Sequence, residues 1–354
     1  MEKSDRMQLV DIAKGILIIL VVAAHAQTGI VHDIIFMFHM PLFFVISGFL
    51  MKREKLLKAE FVLRKIKHLI IPYVVYLVFD MLLVRKTFSV HDWLCAIWGG
   101  RAVSGVYWYI TCFLFTIFLL STLLKKFSDR TIKNIVLMGG GIAVIESHLI
   151  DKIHFLRSPG IPWNLDVSLM ALIYVSIGFF YKDKIKELLE SELRKYDLIT
   201  GLFSVYLILF CGFIYKNGSR LYYFDMKPVY YKELMLAVLI PCAFGVVLTR
   251  LVYWMNKVKW LIYLSCFLSL CGRATIPIMF MHIPLNRWKD SLGYGGVMYM
   301  VIGIGTPLAF TLIFNKHKTM RKLFGLPKLD SKIDTVNYNF PKISDYINHK
   351  RGIF

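Results

Sequence analysis

Charge is sparse in this chain, and acidic charge is sparser still. Only 19% of its 354 residues are charged, and the 43 Lys and Arg outnumber the 23 Asp and Glu. A soluble globular chain has about 25% charged residues spread over its surface; here they gather between long apolar runs, which excludes an ordinary soluble domain. The six cysteines (Cys95, Cys112, Cys211, Cys242, Cys266, Cys271) contain no CxxC pair. Most lie in apolar runs, where a thiol acts as a small hydrophobe, so no metal site and no disulfide framework is read from them. The run Gly139-Gly140-Gly141 lies within an apolar span with no Lys-Ser/Thr after it, which excludes a phosphate-binding loop. The polar–apolar alternation of a membrane barrel strand is missing too.

What remains is hydrophobic. Apolar residues make up 57% of the chain, its mean hydropathy is +0.59, and several runs reach the roughly 18–20 residues that cross a bilayer core. Backbone groups in lipid must bond internally, which favours helices. The chain is therefore predicted to be all-α: a polytopic integral membrane helical bundle of about ten transmembrane helices. Spans are expected at 8–30, 34–51, 68–84, 105–124, 132–149, 166–181, 197–215, 233–253, 273–290 and 293–314. The short aromatic segment 91–100 (HDWLCAIWGG) reads as an interfacial or re-entrant piece. Segment 257–272 is apolar but short; a crossing there would make eleven spans and move the C-terminus to the other side. Residues 1–314 form the membrane domain and 315–354 a polar, basic cytoplasmic tail.

The formal net charge of +20 would point to nucleic acid in a soluble protein. In a membrane protein its distribution sets topology and attracts anionic lipid. With both termini in the cytoplasm, the inner loops hold roughly three times the Lys and Arg of the outer ones. The contrast is sharpest early on: 31–33 holds none and 52–67 holds seven. Ala24-His25-Ala26 has the small-x-small form of a signal-peptide cleavage site, but Asp11 and Lys14 intrude just before the apolar run, so the segment reads as a retained span.

That first span, LVDIAKGILIILVVAAHAQT, carries Asp11, Lys14 and His25. At about 100° per residue, Lys14 and Asp11 fall within about 20° and 40° of His25, so all three share one face. About 16 Å of rise separates Lys14 from His25. Ionisable groups at membrane depth usually face a bundle interior or a water-filled cavity. Asp11 and Lys14 also suit a plain interfacial ion pair, and His25 suits either a bond between helices or a general base. The second span runs back inward and carries His39 near the depth of His25, with Pro41, Ser47 and Gly48 expected to interrupt the helix. Simple packing accounts for Ser47-Gly48.

VDIAKGILIILVVAAHA followed by FHMPLFFVISGFLMKR resembles the opening of the acyltransferase-3 family of membrane acyltransferases, and within it the fucose 4-O-acetylase-like branch. LRKIKHLIIPYVVY, GVYWYITCFLF, WNLDVSLMALIYVSIGFFYKDK and CGRATIPIMFMHIPL resemble later family landmarks, in the expected order, over about residues 7–314. The family usually carries an arginine separated by ten intervening residues from its essential histidine. Here Lys14 stands in that place, which keeps the charge and loses the planar fork.

The resemblance implies O-acyl transfer, most often O-acetyl transfer, from cytoplasmic acyl-CoA to a hydroxyl on an extracytoplasmic or lipid-linked glycan of the cell envelope. It implies a bacterial cytoplasmic membrane, acetyl-CoA or another acyl-CoA as donor substrate, and no permanently bound cofactor. His25 becomes the candidate base and His39 an aid to the oxyanion or the acceptor. Lys14, oriented by Asp11, becomes the partner of the donor's phosphates or a stabiliser of charge near the inner mouth.

Further polar groups are candidates for substrate contact: Trp108 and Tyr109, whose default is an aromatic belt; Glu146; His282 in mid-span; and Arg287 near the outer surface, a candidate for meeting an anionic acceptor where ordinary snorkelling also suffices. Asp80 and Asp166 lie at span ends, and helix capping suffices for Asp166. The rival reading is a proton-coupled transporter or flippase using the buried histidines and the Lys14–Asp11 pair as a relay. The inverted repeats that many transporters carry are not seen.

Overall fold

The computed structural model describes residues 3–87, 89–103, 105–218, 222–231 and 233–329. The main helices are α1 (Lys3–Ala26), α2 (Ile30–Phe36), α3 (His39–Leu50), α4 (Ala59–Val84), α5 (Val90–Trp98), α6 (Trp108–Lys126) and α7 (Asp129–Leu149). They continue as α8 (Val167–Phe180), α9 (Lys182–Glu190), α10 (Arg194–Asn217), α11 (Leu234–Lys257), α12 (Ile262–Arg273), α13 (Thr275–Leu285), α14 (Gly296–Phe314) and α15 (Lys318–Phe324). Among the described residues, nine helical stretches are long and apolar enough to cross a membrane, or ten if the bent pair α12–α13 counts as one. Leu202 and Ile208 of α10 are 65% and 70% exposed, as side chains on a lipid-facing helix should be.

Three spans differ in form from the expectation. The span predicted at 273–290 is the second limb of a bent helix pair. α12 and α13 meet at Ala274 at 81°, so the ambiguous segment 257–272 supplies the first limb of that pair. Pro277, in the first turn of α13, has no N–H to extend the hydrogen-bond ladder back into α12, and Ala274 leaves the helical region at φ −90°, ψ 22°. The second span breaks at Met37–Phe38, ahead of the residues expected to interrupt it. Pro41 sits in the first turn of α3, where its missing N–H has no intrahelical partner to lose. The third span begins nine residues earlier than predicted, at Ala59 rather than 68, because the basic stretch 58–68 continues the helix beyond its apolar part.

α1 lies at the centre and packs most extensively on α12, while α3 packs on α8. Both contacts are backbone-close. A Cβ on Gly15 would lie 1.8 Å from the Leu268 carbonyl oxygen, and one on Gly272 would lie 1.8 Å from that of Asp11. Gly48 and Gly178 are paired in the same way against Val175 and Val45, so packing is the role of Gly48. Small residues that let helix backbones approach are the usual means of association where lipid offers no hydrophobic gain. Two large apolar core groups result, one around α6–α8 and one around α1, α4 and α13, and a smaller third joins α1, α9, α11 and α12.

The start of the predicted tail folds onto the bundle. α15 packs on α4, Tyr76 donates to the Phe324 carbonyl at 3.2 Å, and Arg273 donates to the Lys328 carbonyl at 2.7 Å. Residues 330–354 lie outside the described residues.

Candidate active site

Where the two large core groups meet, a cavity of about 280 Å³ opens between α1, α2, α3, α6 and α13. Its wall on α1 runs from His25 back to Ile18, about 10 Å of rise toward the Lys14 end of the helix. His39, Phe36, Trp108, Tyr109, Thr275 and Met279 also line it. The break at Met37–Phe38 turns His39 inward as the first residue of α3, and the break at Ala274 brings Thr275 to the wall. Phe36 joins the histidines, with its ring centroid 4.0 Å from His32, 4.9 Å from His39 and 5.7 Å from His25. His282 stands behind His25, edge-on at 5.0 Å.

Three of these imidazoles are set by the same local device. Nδ1 lies 2.9 Å from the Val21 carbonyl in His25, 2.7 Å from that of Ile35 in His39 and 2.9 Å from that of Ile278 in His282. A carbonyl oxygen only accepts, so each Nδ1 carries the proton and donates it. In the neutral ring Nε2 is then a lone pair. This is the state a general base requires, and the helix backbone fixes it at three positions. The Nε2 of His282 is buried with no partner among the described residues.

Residues 222–231, between α10 and α11, supply Asp225, Met226 and Lys227 to the cavity wall. Phe224, Met226, Val229 and Tyr231 are buried, and Asp225 and Tyr230 exchange backbone hydrogen bonds at 2.8 and 2.9 Å. Asp225 accepts the backbone N–H of Lys227 at 3.1 Å, an Asx turn. The Lys227 ammonium donates to the carbonyls of Val103 (2.9 Å) and Gly105 (3.2 Å), binding this strap to the loop before α6. Asp225 and Lys227 both line the cavity. Burial raises the Asp225 carboxyl to about 6, and burial lowers the Lys227 ammonium to about 8 against the opposing pull of Asp225.

Of the residues singled out from the sequence, His25, His39, Trp108 and Tyr109 line the cavity, and His282 adjoins it through His25. Trp108 is 6% exposed, so it is a wall residue and not part of a lipid-facing belt. Lys14 and Asp11 form an ion pair of 2.6 Å farther down α1 and are not part of the cavity wall. Glu146 is elsewhere, packed 3.9 Å from Arg101, whose guanidinium bonds Asp166 at 2.6 Å. Asp166 thus serves as an ion-pair partner and makes no side-chain cap. Asp80 pairs with Arg85 at 2.8 Å, and Arg287 lines a neighbouring hollow with them. Sequence reasoning passed over Phe36, His32, Arg101, Asp225 and Lys227. The one available signal was Asp225-Met226-Lys227 itself, charge inside an otherwise aromatic loop. Among the described residues, no group of three or more His, Cys, Asp or Glu is placed to hold a metal ion.

Comparison with curated proteins and with solved structures gives no match. Residues 8–316 match the family model Acyl_transf_3, described as an acyltransferase domain, which covers nearly all of the chain and disfavours the transporter reading. The chain therefore belongs to the acyltransferase-3 family: it is an integral membrane acyltransferase that transfers groups other than amino-acyl groups.

Proposed function

We propose that the protein is an O-acyltransferase, most simply an O-acetyltransferase, that moves the acyl group of cytoplasmic acetyl-CoA or another acyl-CoA to a hydroxyl of an extracytoplasmic or lipid-linked glycan. The observation that carries this is the cavity running down α1 from His25 toward the Lys14–Asp11 pair. It gives a thin thioester arm and a hydroxyl acceptor a place to meet inside the bundle. The charge bias of the loops supports an orientation with the Lys14 end in the cytoplasm and the His25 end outside. The fucose 4-O-acetylase-like resemblance and a bacterial cytoplasmic membrane are parts of the same proposal.

In the reaction, His25 Nε2 takes the proton of the acceptor hydroxyl as its oxygen attacks the thioester carbonyl. The tetrahedral intermediate collapses, the C–S bond breaks, and the imidazolium returns the proton to the leaving thiolate. Lys227 lines the same cavity and is the candidate for stabilising the oxyanion, since a donor fixed in a water-poor site acts most strongly where charge develops. His39, whose Nδ1–H is committed to the Ile35 carbonyl, offers only a lone pair and is the candidate for accepting a hydroxyl of the acceptor. Lys14, held by Asp11, receives donor phosphate at the inner mouth, and Trp108 and Tyr109 stack against the sugar. The direct test is transfer of label from radiolabelled acetyl-CoA to a panel of free and lipid-linked glycans by the purified protein in lipid nanodiscs. Labelled glycan supports the reading. No turnover across a panel that includes native cell extract sinks it.

The strap makes this activity pH-dependent. Asp225 is ionised above about pH 6 and Lys227 is charged below about pH 8, so the charged strap exists between those limits and transfer is expected to fall outside them. His32 and Tyr223 face Asp225 while Arg85 and Arg101 face Lys227. His32 can contribute to the acid limb, which leaves the alkaline limb as the diagnostic one. Lys227→Arg keeps its charge at any working pH and should move that limb upward. A limb that stays near pH 8 in the variant belongs to another group.

A further inference from the structure

Two more hollows lie beside the histidine cavity. One, of about 270 Å³, shares Gly105, Val106 and Ile283 with it as a common wall. Asp80, Arg85, Tyr107 and Arg287 line the far side of that hollow. The other, of about 530 Å³, meets the second at Arg85 and adds Lys86, Thr87, Ser89 and Asp92. The wall is thin: Gly105 has φ +91°, a backbone conformation that favours glycine, and only Ile283 and Tyr107 come within 4.0 Å of where its Cβ would be. On the histidine side Lys227 holds the Gly105 carbonyl.

The charges around this wall do not cancel. Asp80 binds Arg85 through Nε and Nη2, both at 2.8 Å from one oxygen. That single carboxylate faces two guanidiniums, Arg85 and Arg287, in the second hollow. Lys86 adds positive charge in the third, where Asp92 already accepts the Thr87 hydroxyl. Arg85 is held in place by its carboxylate, and Arg287 stands exposed at the rim with its planar fork. Guanidinium forks match phosphate and carboxylate oxygens in pairs, and a concave site with a net charge of one sign concentrates ligands of the other.

We infer that the hollow walled by Arg85 and Arg287 binds an anionic group, a phosphate or a carboxylate, carried by the acceptor next to the hydroxyl acylated in the histidine cavity. This rests on the acyl-transfer reading and narrows it: the acceptor is an anionic glycan that straddles the Gly105 wall. A neutral sugar leaves two guanidiniums facing one carboxylate. An anionic one restores balance while its hydroxyl reaches His25.

The test uses the full chain in phosphatidylcholine nanodiscs, with binding of glucose 1-phosphate and of methyl glucoside measured by calorimetry. Glucose 1-phosphate should bind clearly more tightly than methyl glucoside, and Arg287→Gln should weaken it by about tenfold or more. Arg287→Lys should restore part of the loss, because the charge returns without the fork. Equal binding of the two sugars, or indifference to Arg287→Gln, overturns the inference. A repeat in phosphatidylglycerol nanodiscs separates acceptor from lipid. If anionic lipid abolishes sugar-phosphate binding through Arg287, the hollow takes a lipid headgroup and the acceptor assignment falls. Transfer assays keep the two proposals apart: transfer without preference for charge retains the enzyme reading and removes this site, while Arg287-dependent binding without transfer does the reverse.

Discussion

His25→Ala is expected to reduce acyl transfer by about 10²–10⁴-fold, the range for removal of a positioned general base, while the protein remains folded and monodisperse in detergent. The expectation rests on the bond from Nδ1 to the Val21 carbonyl, which leaves Nε2 as the lone pair at the cavity. His25→Asn sharpens the test. Its amide N–H can make the same bond to the i−4 carbonyl, but nothing in the side chain replaces the Nε2 base. If the base matters, Asn should be as inactive as Ala; if His25 only braces the helix, Asn should recover most of the rate. His282→Ala gives the comparison, since its imidazole has the same local bond but touches the cavity only through His25. A smaller loss is expected there than for His25→Ala. A larger one would move the base to His282.

The second large effect is structural. Gly15→Ala and Gly272→Ala are each expected to prevent recovery of folded protein, seen as loss of the monodisperse peak on size exclusion and of a cooperative thermal transition. The added methyl would sit 1.8 Å from a backbone carbonyl oxygen in either case. Overpacking a core usually costs about 1–3 kcal/mol because side chains shift to relieve it. Here the obstacle is backbone, so α1 and α12 must separate along their length. Gly212→Ala is the control: nothing lies within 4 Å of its Cβ position, and its midpoint should be unchanged or slightly higher, as an exposed helical glycine costs about 0.5–1 kcal/mol relative to alanine. Normal folding of Gly15→Ala would refute the close-approach account.

What could be read from the sequence was what local pattern encodes. Apolar runs announce helices, and an ionisable residue inside such a run is conspicuous, which is why Asp11, Lys14, His25, His39 and His282 stood out. The breaks were harder. Pro277 and Pro41 lie within runs as apolar as their neighbours, so hydropathy alone cannot place the bend at Ala274 or the kink at Met37–Phe38. Partnerships between distant segments leave no local trace. Glu146 and Asp166 look like span-end carboxylates until Arg101, brought in from the loop before α6, is seen between them. The strap residues Asp225 and Lys227 sit in a short polar-aromatic loop, and only the hydrogen bonds from Lys227 to Val103 and Gly105 reveal that the loop belongs to the cavity.

The close pairing of α1 with α12 also fixes an order of events during synthesis. α1 emerges first and carries Asp11, Lys14 and His25 into the membrane, where lone ionisable groups facing lipid are costly. The groove that accepts Gly15 belongs to a half-helix made near the other end of the chain. That half-helix, at 12 residues, is too short to hold its own place across a bilayer that needs about 20. The polar face of α1 therefore waits, unpartnered by α12, through most of translation, and the cavity is completed only when the bent pair inserts against it. A ribosome that stalls before α12 releases a chain whose first helix, with its ionisable residues, lacks its most extensive partner, a species that membrane quality control is well placed to recognise.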